Sequence, residues 1–323
     1  MLDARNLLGA ILAGTLGLCL VGNALSQSGP PATQPASEPA SRPGNQYRIK
    51  IFRPEKAGQN CQVVLSGTRE YERSVSGQQE QAEKTNWGFE VKGFRKVLTV
   101  DANGMATRSS LTCESCVEIV DRIRTDLLAK GGVAIVTCQD GKIDVRAEDP
   151  NITLSATAKN VLYLAVYMPL LPGMDFDSWF GTDKPVRIGE SWPVKSKTIA
   201  DASNRRFQSK LVRESDITGR GTLTGLEEVD GVEYMVVRID MTIKADGPLE
   251  EGMTEHKVQT ITAVTLHLPL DRSLPLIGNT RKEILTRAIK YRAPDGKEVR
   301  LEDRTERIHS GRSVPAGAAS TPR

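Results

Sequence analysis

The sequence is poor in the residues and motifs that most often identify an enzyme. Of its 323 residues, three are histidine and 5% are aromatic, so few side chains suit acid–base catalysis or stacking on a sugar. It has no phosphate-binding G-x-x-x-x-G-K-[ST] loop, no G-x-G-x-x-G fingerprint and no Ser-x-x-Lys triplet. The run Gly189-Glu190-Ser191-Trp192-Pro193 lacks the second glycine of a nucleophile elbow. No catalytic residue, cofactor or metal is therefore predicted, and a non-enzymatic protein is the favoured interpretation.

An excess of one charge is also missing. The sequence has 43 basic and 40 acidic residues, a formal net charge of +3, and the two signs are interspersed. Nucleic-acid-binding proteins usually carry a basic stripe or tail. Neither nucleic acid nor an anionic membrane is therefore a predicted partner.

The N-terminus has the pattern of an export signal. A charged start precedes the apolar run 7–21, and small residues end at Ser26, so residues 1–26 are predicted to be a cleaved signal peptide. The alternative is an uncleaved anchor, although the run is shorter than the roughly 20 residues of a spanning helix. Cys19 lacks the preceding small residue of a lipid-attachment site. We expect export to the periplasm, cell surface or medium, with no transmembrane segment in the mature chain.

The remaining chain divides by composition. Residues 27–46 are rich in Pro, Ser and Ala and are predicted to be a disordered tether. Residues 47–309 are predicted to form one β-rich domain, and 310–323 a disordered tail. The domain could consist of two similar halves, 47–150 and 185–309, joined by a helical segment, 152–184.

Four cysteines follow the signal peptide. An even number of cysteines in an exported protein favours disulfides, and the candidates are Cys61, Cys113, Cys116 and Cys138. The sequence leaves all three pairings open. The C-x-x-C spacing of Cys113 and Cys116 also fits a redox dithiol, whereas a zinc site is the weakest alternative because a second C-x-x-C is missing.

Most of the domain has the period-two pattern of β-strands. Met235 to Ile243 alternate apolar and polar residues, and turns are predicted at Asn103-Gly104, Asp230-Gly231 and Asp295-Gly296. The segment 254–268 is apolar at both parities, which predicts burial on both sides. The fold class is therefore β-dominated α+β: a large curved antiparallel sheet or open half-barrel.

One or two helices are predicted on the concave face of this sheet. The segment Ser155 to Met168 is apolar around most of its circumference, which is typical of a buried helix. A second helix is predicted over 116–128, where apolar residues recur at helical spacing before Gly131-Gly132.

Candidate binding residues are few. The predicted ligand contacts lie on the helix Ser155 to Met168 and in the loop that follows it. They are Val161, Leu164, Tyr167, Trp179 and Phe180. Asp175 and Asp177 in this loop could bind a sugar or a cation, although a loop whose aromatics plug the sheet is favoured. His256 and His267 are predicted on opposite faces of one strand, where they cannot share a metal, and His309 at the start of the tail.

The run Pro185 to Trp192 resembles a P-V-x-x-G-[DE]-[ST]-W signature of uncharacterised exported bacterial β-rich proteins. In such a run Gly189 would allow a tight turn, and Trp192 would enter the core at the start of a strand. These families resemble, in pattern, the half-barrel of periplasmic lipoprotein carriers, whose concave face holds an acyl chain. The resemblance implies a curved sheet that binds an apolar ligand.

Three functions remain in competition. The first is a non-enzymatic exported protein that binds an apolar ligand or an envelope partner through its sheet. The second is an envelope scaffold without a small-molecule site. The third is a hydrolase or thiol-redox enzyme, for which Asp175, Asp177 or the Cys113–Cys116 pair are the candidates.

Overall fold

A computed structural model describes residues 45–76, 81–139, 142–166, 176–207, 212–229, 231–247, 249, 251–272, 274, 278–292 and 296–315. The signal peptide and almost all of the tether predicted from sequence lie outside these ranges. Within them, one antiparallel sheet of twelve strands carries three short helices.

The strands are β1 (Asn60–Ser76), β2 (Gln81–Val100), β3 (Ala106–Val120), β4 (Ile123–Asp126), β5 (Val133–Gln139), β6 (Lys142–Ala147), β7 (Ser191–Pro193), β8 (Ile217–Val229), β9 (Val232–Asp246), β10 (Met253–Pro269), β11 (Gly278–Arg292) and β12 (Glu298–Pro315). The helices are α1 (Ala156–Val166), α2 (Phe176–Phe180) and α3 (Ser196–Phe207), and a 3₁₀ turn spans Glu214–Asp216.

The strands form two meanders that meet at the chain's first and last strands. Their order is β6-β5-β3-β2-β1-β12-β11-β10-β9-β8-β7, with β4 paired to β3. Strands β1 and β12 pair from Cys61↔Pro315 to Ser76↔Arg300. The sheet is open and is not closed into a barrel, which confirms the predicted fold class.

Two hydrophobic cores lie on one face of the sheet, which we call the inner face. The N-terminal core packs α1 against β1, β2, β3, β5 and β6, around residues such as Leu65, Phe89 and Leu162. The C-terminal core packs α2, α3 and residues 47–51 against β8, β9 and β10. The opposite, outer face carries the alternate side chains, most of which are exposed.

The helix predicted over 116–128 is wrong: this segment is the end of β3, a two-residue turn and β4. A β-bulge lies at Glu114, because Lys92 pairs with Ser115 whereas Gly93 pairs with Cys113. The bulge and the turn both shift the parity of the strand. Apolar side chains that share a face therefore fall at spacings of three and four, as they do in a helix.

The burial predicted for both sides of 254–268 is also wrong. In β10 the even-numbered residues, such as Val264 and Leu266, are buried on the inner face, whereas Ile261 on the outer face is 42% exposed. Helix α1 packs on the N-terminal meander and not on β10. The helix predicted over 155–168 is present as α1, Ala156–Val166, and residues 167 and 168 lie outside the described ranges.

Two further elements differ from the sequence prediction. Helix α3 was missed because its buried stripe consists mostly of small residues, Ala200, Ala202 and Ser203, beside Ile199. Strand β12 continues to Pro315, past the predicted boundary at residue 309, because pairing with β1 supplies the hydrogen bonds that its polar side chains do not suggest.

Candidate functional site

The four predicted ligand contacts that the structure describes lie in two separate cores. Val161 is buried in the N-terminal core and Leu164 packs against it. Trp179 and Phe180 are buried in the C-terminal core, and Tyr167 lies outside the described residues. Their role in ligand binding stays a prediction.

Asp177 holds a neighbouring segment of the chain. Its Oδ1 accepts a hydrogen bond from the Ile51 amide at 2.7 Å, and its Oδ2 accepts one from the Phe52 amide at 3.3 Å. These bonds fix the segment whose Ile49 and Ile51 side chains complete the C-terminal core. Asp175 lies outside the described residues.

In the run from Pro185 to Trp192, Gly189 and Trp192 have the local structure that the sequence predicts. Gly189 has a φ of +87°, a value that favours glycine, and its amide donates to the Leu223 carbonyl at 2.7 Å. Trp192 is buried in the C-terminal core at the middle of β7. The indole Nε1 donates to the Phe180 carbonyl at 2.7 Å, which ties β7 to α2.

No disulfide joins the four cysteines in the structure, so the predicted bridges are not formed in it. Cys113 and Cys116 are in contact on the inner face because the bulge at Glu114 turns both inward. A hydrogen bond from Cys116 lowers the pKa of Cys113, and the same bond raises that of Cys116. Cys61 on β1 and Cys138 on β5 are three strand positions apart, too far to bridge.

The three histidines lie apart from one another, and His256 and His267 are on opposite faces of one strand, as predicted. His256 is buried on the inner face, and His267 lies on the outer face of the same strand with its Nδ1 at 3.1 Å from Glu227. His309 lies in β12 and not in a loose tail. Burial, together with the nearby Arg281 and Arg307 cations, lowers its pKa to about 3, so it is neutral at ordinary pH.

A buried carboxylate organises the polar part of the inner face. Asp303 accepts hydrogen bonds from Tyr71 Oη at 3.0 Å, Arg73 Nε at 2.8 Å and Arg287 Nη2 at 2.5 Å. Although burial opposes ionisation, these donors hold the pKa of Asp303 below its ordinary value. Burial and the Asp303 carboxylate raise the pKa of Tyr71 to about 12. The cluster joins β1, β11 and β12, where the two meanders meet.

A pocket that the sequence did not reveal opens on the outer face of β12, β1, β2 and β3. It has a volume of about 640 Å³, within the range typical of ligand sites. Gly88 forms its floor, and Thr68, Ile119 and Ile308 form its walls. Ile308 is 40% exposed, so the walls present apolar surface to an occupant.

Two glycines in adjacent strands shape this region. Gly88 pairs with Thr68 and carries no side chain into the pocket. Next to it, Gly67 makes room on the inner face, because a Cβ there would lie 2.5 Å from the Phe89 ring and 2.8 Å from the His309 ring. Glycine inside a strand marks such a close approach or a ligand site. That was the signal available in the sequence.

The rim of the pocket includes a strained turn. Asp121 and Arg122 connect β3 to β4 with φ values of 49° and 72°. This left-handed conformation is usual for Asn-Gly in a tight hairpin and costs energy for arginine. Strain of this kind is often found at functional sites.

No helix among the described residues is long and apolar enough to cross a membrane.

Comparisons with known proteins give only weak likenesses. No family model matches the chain, and no curated protein matches it significantly. A lipovitellin structure concerned with lipid–protein interactions has 8% identity and a TM-score of 0.35, and the match covers 82% of this chain and 26% of that one. The chain thus spans about a quarter of the lipovitellin chain.

Two further structures score lower. A mutant of the monoaromatic hydrocarbon channel TodX has 7% identity and a TM-score of 0.21, covering 86% of this chain and 96% of that one. A DUF1329 family protein from Desulfovibrio piger has 12% identity and a TM-score of 0.14, covering 78% and 86%. Scores this low identify neither a family nor a function.

Proposed function

We propose that this protein binds an apolar small molecule in the outer-face pocket floored by Gly88. The observation that carries the proposal is a concavity whose exposed surface is mostly apolar, although charged side chains such as Glu70, Glu90 and Arg122 also line it. Its volume of about 640 Å³ suits a compact ligand of the kind that proteins hold in mostly apolar sites.

Ion pairs occupy much of the outer face around and beyond the pocket. Examples are Lys84 with Glu72 at 3.2 Å, Lys282 with Glu306 at 2.6 Å, and Lys257 with Asp246 at 2.5 Å. A face of this kind is built for solvent. The pocket exposes apolar side chains within this face. A bound apolar ligand would remove their surface from water, and such burial is favourable by about 25 cal/mol for each Å² buried.

The location of this activity follows from the predicted signal peptide. The protein would work in the cell envelope or outside the cell, where apolar molecules need a protein to cross aqueous space. The inner face, which the sequence favoured for ligand binding, carries the two cores instead. The outer-face pocket replaces it as the proposed site.

Binding of the neutral apolar probe N-phenyl-1-naphthylamine tests the proposal. The wild-type protein should give a saturable rise in fluorescence. Gly88→Val, which fills the floor, should weaken binding at least tenfold, and Ile308→Glu, which places a charge on the exposed wall, should do the same. The control is Thr242→Leu on the outer face of β9, far from the pocket, which should bind as the wild type does.

Native mass spectrometry of protein from its own host gives a second test. A co-purifying small mass that is present on the wild type and absent from Ile308→Glu would support the pocket. Equal probe binding by the wild type and both pocket variants would contradict the proposal, provided that circular dichroism shows all of them to be folded.

A further inference from the structure

A second concavity lies at the edge of the sheet, on the outer face of β3, β5 and β6. It has a volume of about 860 Å³, and its polar lining consists of Arg108, Thr137, Gln139, Lys142, Asp144 and Arg146. Strand β6 is an edge strand of the sheet, so the groove is open along one side. Arg108 pairs with Thr137, which pairs with Asp144, and three cations therefore surround one carboxylate.

The three cations of this groove are available to a partner. Arg108, Lys142 and Arg146 are all exposed, and none forms an ion pair with another residue in the described part of the chain. The ion-paired cations elsewhere on the outer face differ in this respect. An open groove in which three unpaired cations outnumber one carboxylate attracts anions.

An exposed aromatic side chain lies beside the groove. Phe94 is 41% exposed on the outer face of β2. Lys96 lies two residues away on the same face, and so does Lys92, which is paired with Glu114 at 2.7 Å. Lys96 pairs with Ser110, Ser110 with Ile135, and Ile135 with Arg146. An exposed apolar ring beside cations such as Lys96 and Arg146 is typical of surfaces that lie on a membrane interface.

We propose that this surface docks on a bilayer that contains anionic phospholipid. The surface, which we call the basic edge surface, consists of Phe94, Lys96, Arg108, Lys142 and Arg146. The cations would contact phosphate groups while the Phe94 ring enters the interface. The pocket floored by Gly88 is on the same face, so docking would bring it to the membrane, where apolar molecules collect. That purpose rests on the proposed function, whereas docking itself does not.

The small net charge of the chain does not oppose this inference. A value of +3 averages over the whole molecule, whereas attraction to a membrane acts within about 10 Å of the surface at ordinary salt. Pairing of β3, β5 and β6 collects cations that are up to 38 residues apart in the sequence, from Arg108 to Arg146.

Vesicle sedimentation of the protein in the form its host produces tests the docking. The wild type should bind vesicles of phosphatidylglycerol and phosphatidylcholine at low salt, and should bind pure phosphatidylcholine much more weakly. Each basic residue contributes about fivefold to binding an anionic bilayer. The triple variant R108Q/K142Q/R146Q should therefore bind on the order of a hundredfold more weakly. The matched control, K197Q/R220Q/K244Q, removes the same charge from exposed positions elsewhere and should bind nearly as well as the wild type.

Three results would overturn the proposal: no binding by the wild type, equal weakening by the two triple variants, or displacement by sodium phosphate well beyond that by sodium chloride at equal ionic strength. The last would indicate a site for isolated phosphate. Gly88→Val should retain full vesicle binding. The two proposals can thus fail separately, since probe binding reports on the pocket and sedimentation on the basic edge surface.

Discussion

The Trp192 indole lies directly against the backbone of Gly221. A Cβ at residue 221 would lie 2.5 Å from the ring, closer than any ordinary contact, and Trp192 pairs with Gly221 in the sheet. The hydrogen bond from Trp192 to the Phe180 carbonyl prevents the ring from moving aside. This contact fixes β7 and α2 on the C-terminal core.

We expect Gly221→Ala to destabilise the protein by about 2 to 4 kcal/mol, because the added methyl group overpacks a filled site. Urea unfolding followed by tryptophan fluorescence measures the change. The matched control is Gly278→Ala, where the new Cβ meets nothing nearer than 3.6 Å, and its effect should be below about 0.5 kcal/mol. Equal stabilities of the two variants would show that the indole can move.

Asp303 makes the stability depend on pH at the acidic end. Its pKa is lowered in the folded state, so its contribution is complete above the unfolded value near 3.8 and is lost as the pH falls through the folded pKa. Asp303→Asn should cost about 2 to 4 kcal/mol at pH 7, because two arginines lose a buried partner. It should also flatten the fall in stability below pH 4.

Unfolding in urea at a series of pH values checks this prediction. Glu302→Gln is the control, since Glu302 is an exposed carboxylate next to Asp303 in the same strand and pairs with Arg300 at 2.5 Å. It should cost less than about 1 kcal/mol at pH 7. A steeper acid profile in Asp303→Asn than in the wild type would contradict the assignment.

The cysteines should differ in their reaction with an alkylating agent. Cys138 is partly exposed, whereas Cys61, Cys113 and Cys116 are buried. The folded protein should therefore react at Cys138 first and at the other three only as fast as it unfolds. Burial raises the pKa of the Cys138 and Cys61 thiols, so both should react more slowly than a free cysteine at the same pH. Peptide mapping after timed alkylation measures the order. A chain two hydrogens light, with Cys113 and Cys116 unreactive even after unfolding, would show that these two are oxidised.

Prediction from sequence succeeded where a signal is local. The alternation of Met235 to Ile243 predicts β9, and the predicted turn before it agrees with the positive φ of Gly231, because side-chain parity and turn conformation are set by neighbouring residues. Gly189 and Trp192 behave as expected for the same reason. Local signals failed at 116–128, because the bulge at Glu114 just before this segment and the strained turn at Asp121 and Arg122 within it broke the parity on which the prediction depends.

The candidate site could not be predicted, since its parts come from distant segments. Gly88, Thr68, Ile119 and Ile308 lie on four strands, and Ile308 reaches the pocket through the pairing of β12 with β1. These two strands lie more than 200 residues apart in the chain, so local sequence patterns do not indicate their pairing. The basic edge surface is hidden in the same way, because its cations are interspersed with acids along the chain.

The sequence by itself determined the β-rich class, the central helix and the tight turns of this protein, since each depends on interactions within a few residues. Only the tertiary structure decided the pairing of the first strand with the last, the separation into two cores, and the faces on which apolar and basic groups collect. Those features depend on strand order and register, which are fixed by packing energy summed over the whole sheet.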